Sequence, residues 1–229
     1  MLSRIIVTTL LAFGLLLSGC ATQTKMALSN DSDVASNTGK PIYLMTATLR
    51  NNYHTSFQPK LLVVNVEKLA AQNSADRSNF TMDDKAKNES DSPIVGSTYL
   101  LRMELDQGEY VIQGLSSTSR SFPIIGFYFA PMHETLKSVG QGVFYIGHVE
   151  ATIRERQGNE FKAGPSAPLI DQAIAGASGG TFDIEISDQW DKDGPQFLAK
   201  FPTLSAVTVQ KDILPPFDRT KAQQWWEAH

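Results

Sequence analysis

Apolar and polar residues alternate with a period of two along much of the chain, a pattern typical of β-strands. Ser97–Leu105 is the clearest example, because its odd-numbered residues from Tyr99 onward are apolar whereas Arg102 and Glu104 lie on the opposite face. On this criterion the sequence predicts eight strands, over Ile42–Leu49, Lys60–Lys68, Ser97–Leu105, Glu109–Leu115, Phe122–Ala130, Val143–Arg156, Thr181–Ser187 and Ala206–Gln210.

Two of these segments depart from simple alternation. Phe122–Ala130 is apolar almost throughout, which predicts a strand buried on both faces. Val143–Arg156 is long for one strand and contains Gly147, where we expect a β-bulge that changes which face points inward. Beyond the bulge, the core face is expected to carry Val149, Ala151 and Ile153, and the other face His148, Glu150, Thr152 and Arg154.

Helical patterns lie near the C-terminus. Asp188–Lys200 predicts a short helix in which Asp193 caps a restart. Asp218 begins a C-terminal helix, and Ala167–Ala175 has the length of two further helical turns. We therefore expect a mainly β fold, an antiparallel β-sandwich of about 7–8 strands with two or three short helices near the C-terminus.

Residues 1–20 have three parts that are typical of a secretory signal peptide. Met1–Arg4 carries one positive charge, Ile5–Leu17 is almost entirely apolar, and Ser18-Gly19 are small. The apolar run is shorter than the roughly 20 residues that a membrane-spanning helix needs, which disfavours a permanent transmembrane helix. Leu17-Ser18-Gly19-Cys20 resembles the bacterial lipobox, which implies attachment of a diacylglyceryl group to Cys20 and cleavage before it.

The lipobox resemblance implies a domain organisation: 1–19 is a lipoprotein signal peptide, 20–40 a lipidated flexible tether, and 41–229 a single domain. Two or more acyl chains hold a protein stably at a membrane. Ala21 stands where an Asp favours inner-membrane retention in enteric-type lipoproteins. The resemblance therefore implies a protein of the cell envelope, anchored in the outer membrane and facing the periplasm.

Two polar stretches are expected to be mobile. Ala21–Lys40 contains few large apolar residues, and we expect that it cannot bury enough surface to become ordered. Gln72–Ser92 is rich in charged residues, Ser and Asn, and is expected to be a solvated loop between strands.

Short motifs carry two further resemblances. Leu105-x-x-Gly108-x-Tyr110, at a strand–turn–strand position, resembles the transthyretin-like and carboxypeptidase-regulatory-like β-sandwiches. The larger pattern resembles a set of bacterial envelope lipoproteins with no established activity. It is carried by the lipobox, Gly108-Glu109-Tyr110, Val143–His148 and the Asp188–Pro202 helix. This resemblance implies a location and a fold, and it assigns no site residues.

Composition narrows the possible partners. The chain has 20 Lys and Arg against 24 Asp and Glu, and loss of residues 1–19 removes Arg4 alone, so the formal charge changes from −4 to −5. A mildly acidic protein without clustered basic residues is not expected to bind nucleic acid. Cys20 is the only cysteine, which excludes an intramolecular disulfide.

His148 and Glu150 are candidates for a ligand site, because they share one face of a strand. A metal site needs three or four ligands, so the simpler interpretation is an exposed pair beside Arg154. Asp188, Asp191 and Asp193 lack the spacing of a calcium loop and are expected to cap a helix and contact solvent. Gly176–Gly180 lacks phosphate-loop residues and is expected to be a turn, and Ser166 and Ser178 lack the nucleophile-elbow pattern of hydrolases.

Trp225 and Trp226 are candidates for a binding surface, because adjacent residues of a helix point in different directions. The simpler interpretation is that the helix docks on the rest of the fold and that the tryptophans have no further role. The alternative is that one ring docks while the other stays available to a partner or to the membrane interface.

The leading hypothesis is a membrane-anchored, non-enzymatic envelope lipoprotein that serves as a binding or assembly module facing the periplasm. Its expected partners are the membrane, through lipid on Cys20, and an envelope protein; no cofactor is expected. The alternative is a small-ligand or metal-binding module that uses the face around His148 and Glu150 or the segment Gln157–Gly180. An enzyme would require His148, Glu150 and an Asp to converge in one cleft.

Overall fold

A computed structural model describes residues 22–30, 32–35, 39–165 and 172–228. Within these residues the chain is mainly β, with eleven strands in two sheets and two α-helices near the C-terminus. The strands are β1 (Thr22–Lys25), β2 (Pro41–Asn51), β3 (Lys60–Lys68), β4 (Arg77–Thr81), β5 (Lys87–Asn88), β6 (Ser97–Glu104), β7 (Gly108–Ser121), β8 (Ile124–Ser138), β9 (Gly142–Glu155), β10 (Gly180–Ser187) and β11 (Val209–Lys211). The helices are α1 (Trp190–Lys200) and α2 (Arg219–Ala228), and short 3-10 turns cover Ser74–Asp76 and Pro202–Ala206.

The first sheet has five strands in the order β1-β4-β3-β7-β8, and the second has six in the order β10-β9-β2-β6-β5. β11 adds to the edge of β9 at Val143–Tyr145. Most neighbouring strands are antiparallel, but the pairs β1–β4, β2–β9 and β11–β9 are parallel. The expectation of antiparallel pairing throughout is therefore wrong for these three pairs.

The connections between strands define two ends of the molecule. One end carries the turns at residues 105–107 and 139–141 and the first residue of β1, and we call it the β1 end. The opposite end carries the β7–β8 turn at residues 122–123 and the loops at residues 52–59 and 89–96, and we call it the hairpin end. The two ends lie roughly 40 Å apart, because β7 spans 14 residues at about 3.3 Å each.

One buried apolar cluster takes residues from both sheets. Met45 and Leu101 belong to the six-stranded sheet, and Ile112 and Ala130 to the five-stranded sheet. A second, smaller cluster lies where α1 packs on the outer face of the six-stranded sheet, and its members include Leu44, Tyr145, Phe197, Phe201 and Leu204. Burial of apolar surface stabilises a fold by about 25 cal/mol per Å², so α1 is held largely by this second cluster.

The structure confirms several elements that alternation predicted. β6 and β10 match their predicted segments within one residue, and Val149, Ala151 and Ile153 are buried in the core as expected. Asp218 precedes α2, and its side chain accepts hydrogen bonds from the backbone N–H groups of Thr220 at 2.9 Å and Lys221 at 3.1 Å.

Other expectations are corrected. The polar run at residues 72–92 contains β4 and β5, which pair with β3 and β6, so the strand count exceeds 7–8. The strand expected over Phe122–Ala130 begins at Ile124 and continues to Ser138, and Phe122 is fully exposed at the turn. Within Ala167–Ala175, residues 172–175 form turns and not a helix, and the rest lies outside the described residues.

The expectation that residues 21–40 cannot become ordered is also wrong for the residues described. Thr22–Lys25 pairs with β4, and Met26, Leu28 and Ala35 are buried. The side chain of Arg102, itself fully buried, donates from Nε to the carbonyl of Ala27 at 2.8 Å. The segment obtains its order from contacts with the rest of the fold, which its own composition does not reveal. The domain boundaries stay a prediction.

Candidate functional site

His148 lies in a buried hydrogen-bonded network on the outer face of the six-stranded sheet. Its Nδ1 lies 2.9 Å from Asp193 Oδ2, and its Nε2 lies 3.1 Å from the hydroxyl of Thr48. Tyr145 donates its hydroxyl to Asp193 Oδ2 at 2.7 Å, and the hydroxyls of Thr48 and Thr98 are 3.0 Å apart. His148 is 2% exposed and Asp193 is fully buried, so the expected exposed His148–Glu150 pair is wrong.

The protonation of this network follows from its partners. Burial opposes ionisation of Asp193, but hydrogen bonds from His148 and Tyr145 outweigh it and lower the pKa of the carboxyl below its usual value. A carboxylate only accepts hydrogen bonds, so His148 donates from Nδ1. Burial and the adjacent Asp193 raise the pKa of Tyr145, which keeps its hydroxyl protonated as a donor.

The bulge expected at Gly147 is confirmed, and it assembles this network. The β2–β9 register shifts where Met45 pairs with Gly147, and the φ angle of Gly147 is +118°. Tyr145 and His148 would otherwise lie on opposite faces of the strand. The extra residue turns both side chains toward Asp193 on α1. A side chain at Gly147 would be strained by the positive φ angle, and its Cβ would lie only 3.3 Å from the carbonyl oxygen of Ser187.

The order Asp193–His148–Thr48 is that of an acyl-transfer triad, but its surroundings favour a structural role. Thr48 is only 8% exposed, and its hydroxyl already hydrogen bonds with Thr98. Glu150 does not join the network; it lies 2.5 Å from Arg50. The convergence of His148, Glu150 and an Asp that an enzyme would require is therefore not found, and Asp193 links α1 to the sheet.

Asp193 also differs from its expected role as a solvated helix cap. It lies inside α1, where Gln189 is the N-cap residue and makes no side-chain cap hydrogen bond. Asp188 does accept a hydrogen bond from the backbone N–H of Trp190 at 3.1 Å. Among the described residues no three His, Cys, Asp or Glu side chains are grouped so that they could hold a metal ion.

Glu150 lines a shallow cleft of about 310 Å³ farther along the same sheet face. The cleft is lined by two ion pairs, Arg50–Glu150 and Arg219–Asp183, and by Glu185, Thr152, Ile184 and Phe217. Arg50 donates to Glu150 and, through Nε, to Thr152 at 2.8 Å. The cleft is thus polar and carries both positive and negative groups, most of which already have partners.

Glu160 joins this cleft to the hairpin end through a network of arginines. Its carboxylate accepts from Arg154 at 2.6 and 2.7 Å and from Arg219 at 3.2 Å. The Arg154 guanidinium lowers the pKa of Glu160 to about 2. Arg154 also contacts Asp183 at 2.8 Å, so this arginine serves Glu160 and Asp183 and not His148.

Glu160→Gln is expected to lower the free energy of unfolding at pH 7 by about 1 kcal/mol, as for a partly exposed ion-pair network. Because the pKa of Glu160 is depressed in the folded chain, its contribution is fully present above about pH 4.5 and is lost as the pH falls toward 2. Urea denaturation at several pH values should show the difference from wild type shrinking over this range. Glu155→Gln, at an exposed site, is the control, and a pH-independent difference would contradict the assignment.

Both C-terminal tryptophans contact the fold. Trp226 packs against the main core, and the ring of Trp225 lies 5.7 Å from that of Phe129 and 4.7 Å from that of His133, between centroids. Both side chains are half-buried. Docking of α2 is therefore confirmed, and the two adjacent rings both pack because the helix lies across the edge of β8.

Cys20 lies outside the described residues, and so does Ser166. None of the helices in the described ranges is long and apolar enough to cross a membrane. Gly176–Gly180 forms turns that lead into β10, as expected.

The hairpin end carries exposed apolar side chains that the sequence patterns did not single out. Phe122 is 100% exposed, Ile94 85% and Val95 60%. A signal was present in each case: Ile94-Val95 interrupts a polar run after Pro93, and Phe122-Pro123 begins an apolar run at a position where the chain must turn. The apolar run assigned Phe122 to a buried strand, and Ile94-Val95 fell between the predicted loop Gln72–Ser92 and the predicted strand Ser97–Leu105.

No protein-family model, characterised protein or solved structure matches this chain.

Proposed function

We propose that the chain is a lipid-anchored envelope protein whose β-rich domain serves as a binding or assembly module facing the periplasm, with the outer membrane as its location. We also infer that the two sheets form a β-sandwich of the transthyretin-like kind. The apolar cluster shared by the two sheets supports this inference. The proposal assigns no catalytic role.

The position of β1 is the observation that carries the proposal. Thr22 begins β1 at the β1 end, where its hydroxyl donates to the carbonyl of Ser74 at 3.4 Å. Cys20 precedes Thr22 by two residues, so the two lie within roughly 8 Å of each other. Lipid on Cys20 would hold the β1 end directly at the bilayer. In this proposal the lipid and the first residue of β1 are separated by a short stretch of chain.

An anchor at this position would orient the domain. The hairpin end lies roughly 40 Å from the β1 end along β7, so it would face the periplasm. A module that binds or assembles with another envelope component needs such a surface turned away from its own membrane. The exposed apolar residues of the hairpin end supply one.

A second candidate is a small-ligand module that uses the cleft lined by Arg50 and Arg219. Two guanidinium groups beside Thr152 and Glu185 would suit a small polar ligand that carries both acceptor and donor groups. Both nitrogens of His148 already have partners, so its contribution to a metal site is not favoured. Calorimetric titration of wild type and Arg50→Ala with envelope-derived small molecules would test this candidate.

Cys20→Ala is expected to move the protein from the membrane fraction to the soluble fraction, because no acyl chain can then be attached. Fractionation and immunoblotting of cells that express the wild type or the variant measure this. The control is Ser18→Ala, which retains the cysteine and a small residue in the same motif. Retention of Cys20→Ala in the membrane fraction would contradict the lipid anchor.

A further inference from the structure

Five large apolar side chains are exposed near the hairpin end, on separate segments of the chain. They are Phe122 at the β7–β8 turn, Ile94 and Val95 on the β5–β6 loop, Phe127 on β8 and Ile174. Phe122 makes no burial contribution to folding, since it is fully exposed. Large exposed apolar side chains gathered at one end of a fold mark a candidate interaction site.

We propose that the hairpin end is a docking surface for a protein partner that offers an apolar pocket rimmed by carboxylates. This proposal rests on the proposed anchor for its orientation. Phe122 and Ile94 would enter the pocket, and Arg120 would meet its acidic rim. The hairpin end thus indicates the chemistry of the partner, which offers an apolar pocket with an acidic rim.

The position of the anchor favours a protein over the bilayer. Cys20 can lie no more than roughly 8 Å from Thr22, which begins at the opposite end of the molecule. The membrane that receives its acyl chains would therefore contact the β1 end, roughly 40 Å from Phe122. An apolar surface turned away from the lipid requires another occupant.

The β5–β6 loop is organised by its own hydrogen bonds, so it presents Ile94 and Val95 in a defined geometry. The backbone N–H of Gly96 donates to the carbonyl of Ser92 at 2.8 Å. Ser97 donates from Oγ to the carbonyl of Ser90 and accepts from its N–H, both at 3.1 Å. A surface organised before binding loses little conformational entropy when the partner arrives.

The charge of Arg120 indicates that the rim of the partner's pocket is acidic. Arg120 precedes Phe122 by two residues, is exposed, and makes no ion pair within the described residues. It lines a cleft of about 440 Å³ with Lys60, Lys87, Glu89 and Asp91. Lys60 lies 3.6 Å from both Glu89 and Asp91, and Lys87 lies 3.3 Å from Asp84. Arg120 is thus the cation left for a carboxylate of the partner.

Site-specific photocross-linking in intact envelopes tests the proposal. A benzophenone amino acid is placed at Phe122 or Ile94 of the full-length chain, and at two control positions, Val139 at the β1 end and Leu198 on α1. All four side chains are exposed, between 40% and 100%, so a probe at each position reaches solvent. We expect one protein adduct of the same mass from positions 122 and 94 that is absent from positions 139 and 198.

The adduct is then identified by mass spectrometry, and the purified partner is titrated with the soluble Cys20→Ala chain. Phe122→Ser is expected to weaken binding about tenfold or more, Arg120→Glu about threefold to tenfold, and Leu198→Ser not measurably. Thermal denaturation of each variant confirms that it is folded. This titration does not depend on the anchor, so its result is separable from the fractionation of Cys20→Ala.

Four results would overturn the proposal: phospholipid adducts at positions 122 and 94, which would indicate a membrane surface; adducts with a second copy of the chain; no adduct at either position; or unchanged affinity in Phe122→Ser. If Cys20→Ala instead stays with the membrane while the titration succeeds, the docking surface stands and the anchor is wrong.

Discussion

Asp193→Ala is expected to lower the free energy of unfolding by about 3–5 kcal/mol, the largest effect of any single substitution considered for this chain. The change would leave the Nδ1–H of His148 and the hydroxyl of Tyr145 buried without their acceptor. It would also remove the hydrogen bonds that link α1 to β9 and leave the helix held by the apolar cluster beneath it. Urea denaturation of the soluble Cys20→Ala chain, followed by circular dichroism, measures the loss.

Asp191→Ala is the matched control, since it removes the same side chain from an exposed position two residues earlier on α1. We expect it to change the free energy of unfolding by less than about 0.5 kcal/mol. A loss below about 1 kcal/mol for Asp193→Ala would contradict the assigned role. Substitution of Asp193 by Asn, which keeps one acceptor oxygen, should recover part of the lost stability.

The effect of Asp193 should depend on pH with a defined sign. Its pKa is lowered from 3.8 in the folded chain, despite burial, by hydrogen bonds from His148 and Tyr145. Its contribution is therefore fully present above about pH 3.8 and is lost as the pH falls below that value. The difference between wild type and Asp193→Ala should narrow on acidification over that range, and a difference that widens would contradict this account.

Arg102→Ala is expected to lower the free energy of unfolding by about 3–4 kcal/mol. Arg102 is fully buried and stacks over the ring of Phe201 at 4.0 Å. Its guanidinium donates to the carbonyls of Ala27 and Leu100, each at 2.8 Å, and to the carboxylate of Asp83. Removal of the side chain would leave a cavity and would break the contacts that hold the N-terminal segment.

Hydrogen exchange provides a measurement specific to this arginine. In Arg102→Ala, amide protection should fall most over Thr22–Asn30, because the carbonyl of Ala27 loses its hydrogen bond from the Arg102 side chain. The backbone N–H of Ala27 donates to the carbonyl of residue 102, so the substitution lies directly beside this segment. Arg77→Ala is the control: its half-buried side chain contacts Glu67 at 3.3 Å, and we expect less than about 1 kcal/mol of destabilisation. A uniform loss of protection across both sheets would show that Arg102 has no particular role in ordering this segment.

Residue alternation predicted the strands in which the local sequence decides which side chains are buried. β6 and β10 are half-buried strands of this kind, and the inward positions of β9 were predicted from the bulge at Gly147. The start of α2 was predicted because a cap such as Asp218 acts within one turn of its own helix. These features depend on interactions over two to four residues.

The candidate site could not be predicted in the same way. His148 and Asp193 are 45 residues apart, and their contact depends on how α1 packs over β9. An exposed pair of His148 with Glu150 was the expected arrangement, because both residues share a strand face. The face proved to be covered at His148 and open at Glu150, and the coverage comes from a helix elsewhere in the chain.

The same distinction applies to the two ends of the molecule. The lipobox at Leu17–Cys20 is a local signal, and the sequence is sufficient to predict an anchor from it. The position of Thr22 relative to Phe122 depends on the parallel pairing of β1 with β4 and on the pairing of β7 with β8, which are long-range contacts between strands. Local patterns thus decided which residues form strands, caps and an anchor motif. Strand pairing across the fold decided which side chains are buried and that Thr22 and Phe122 lie toward opposite ends of the molecule.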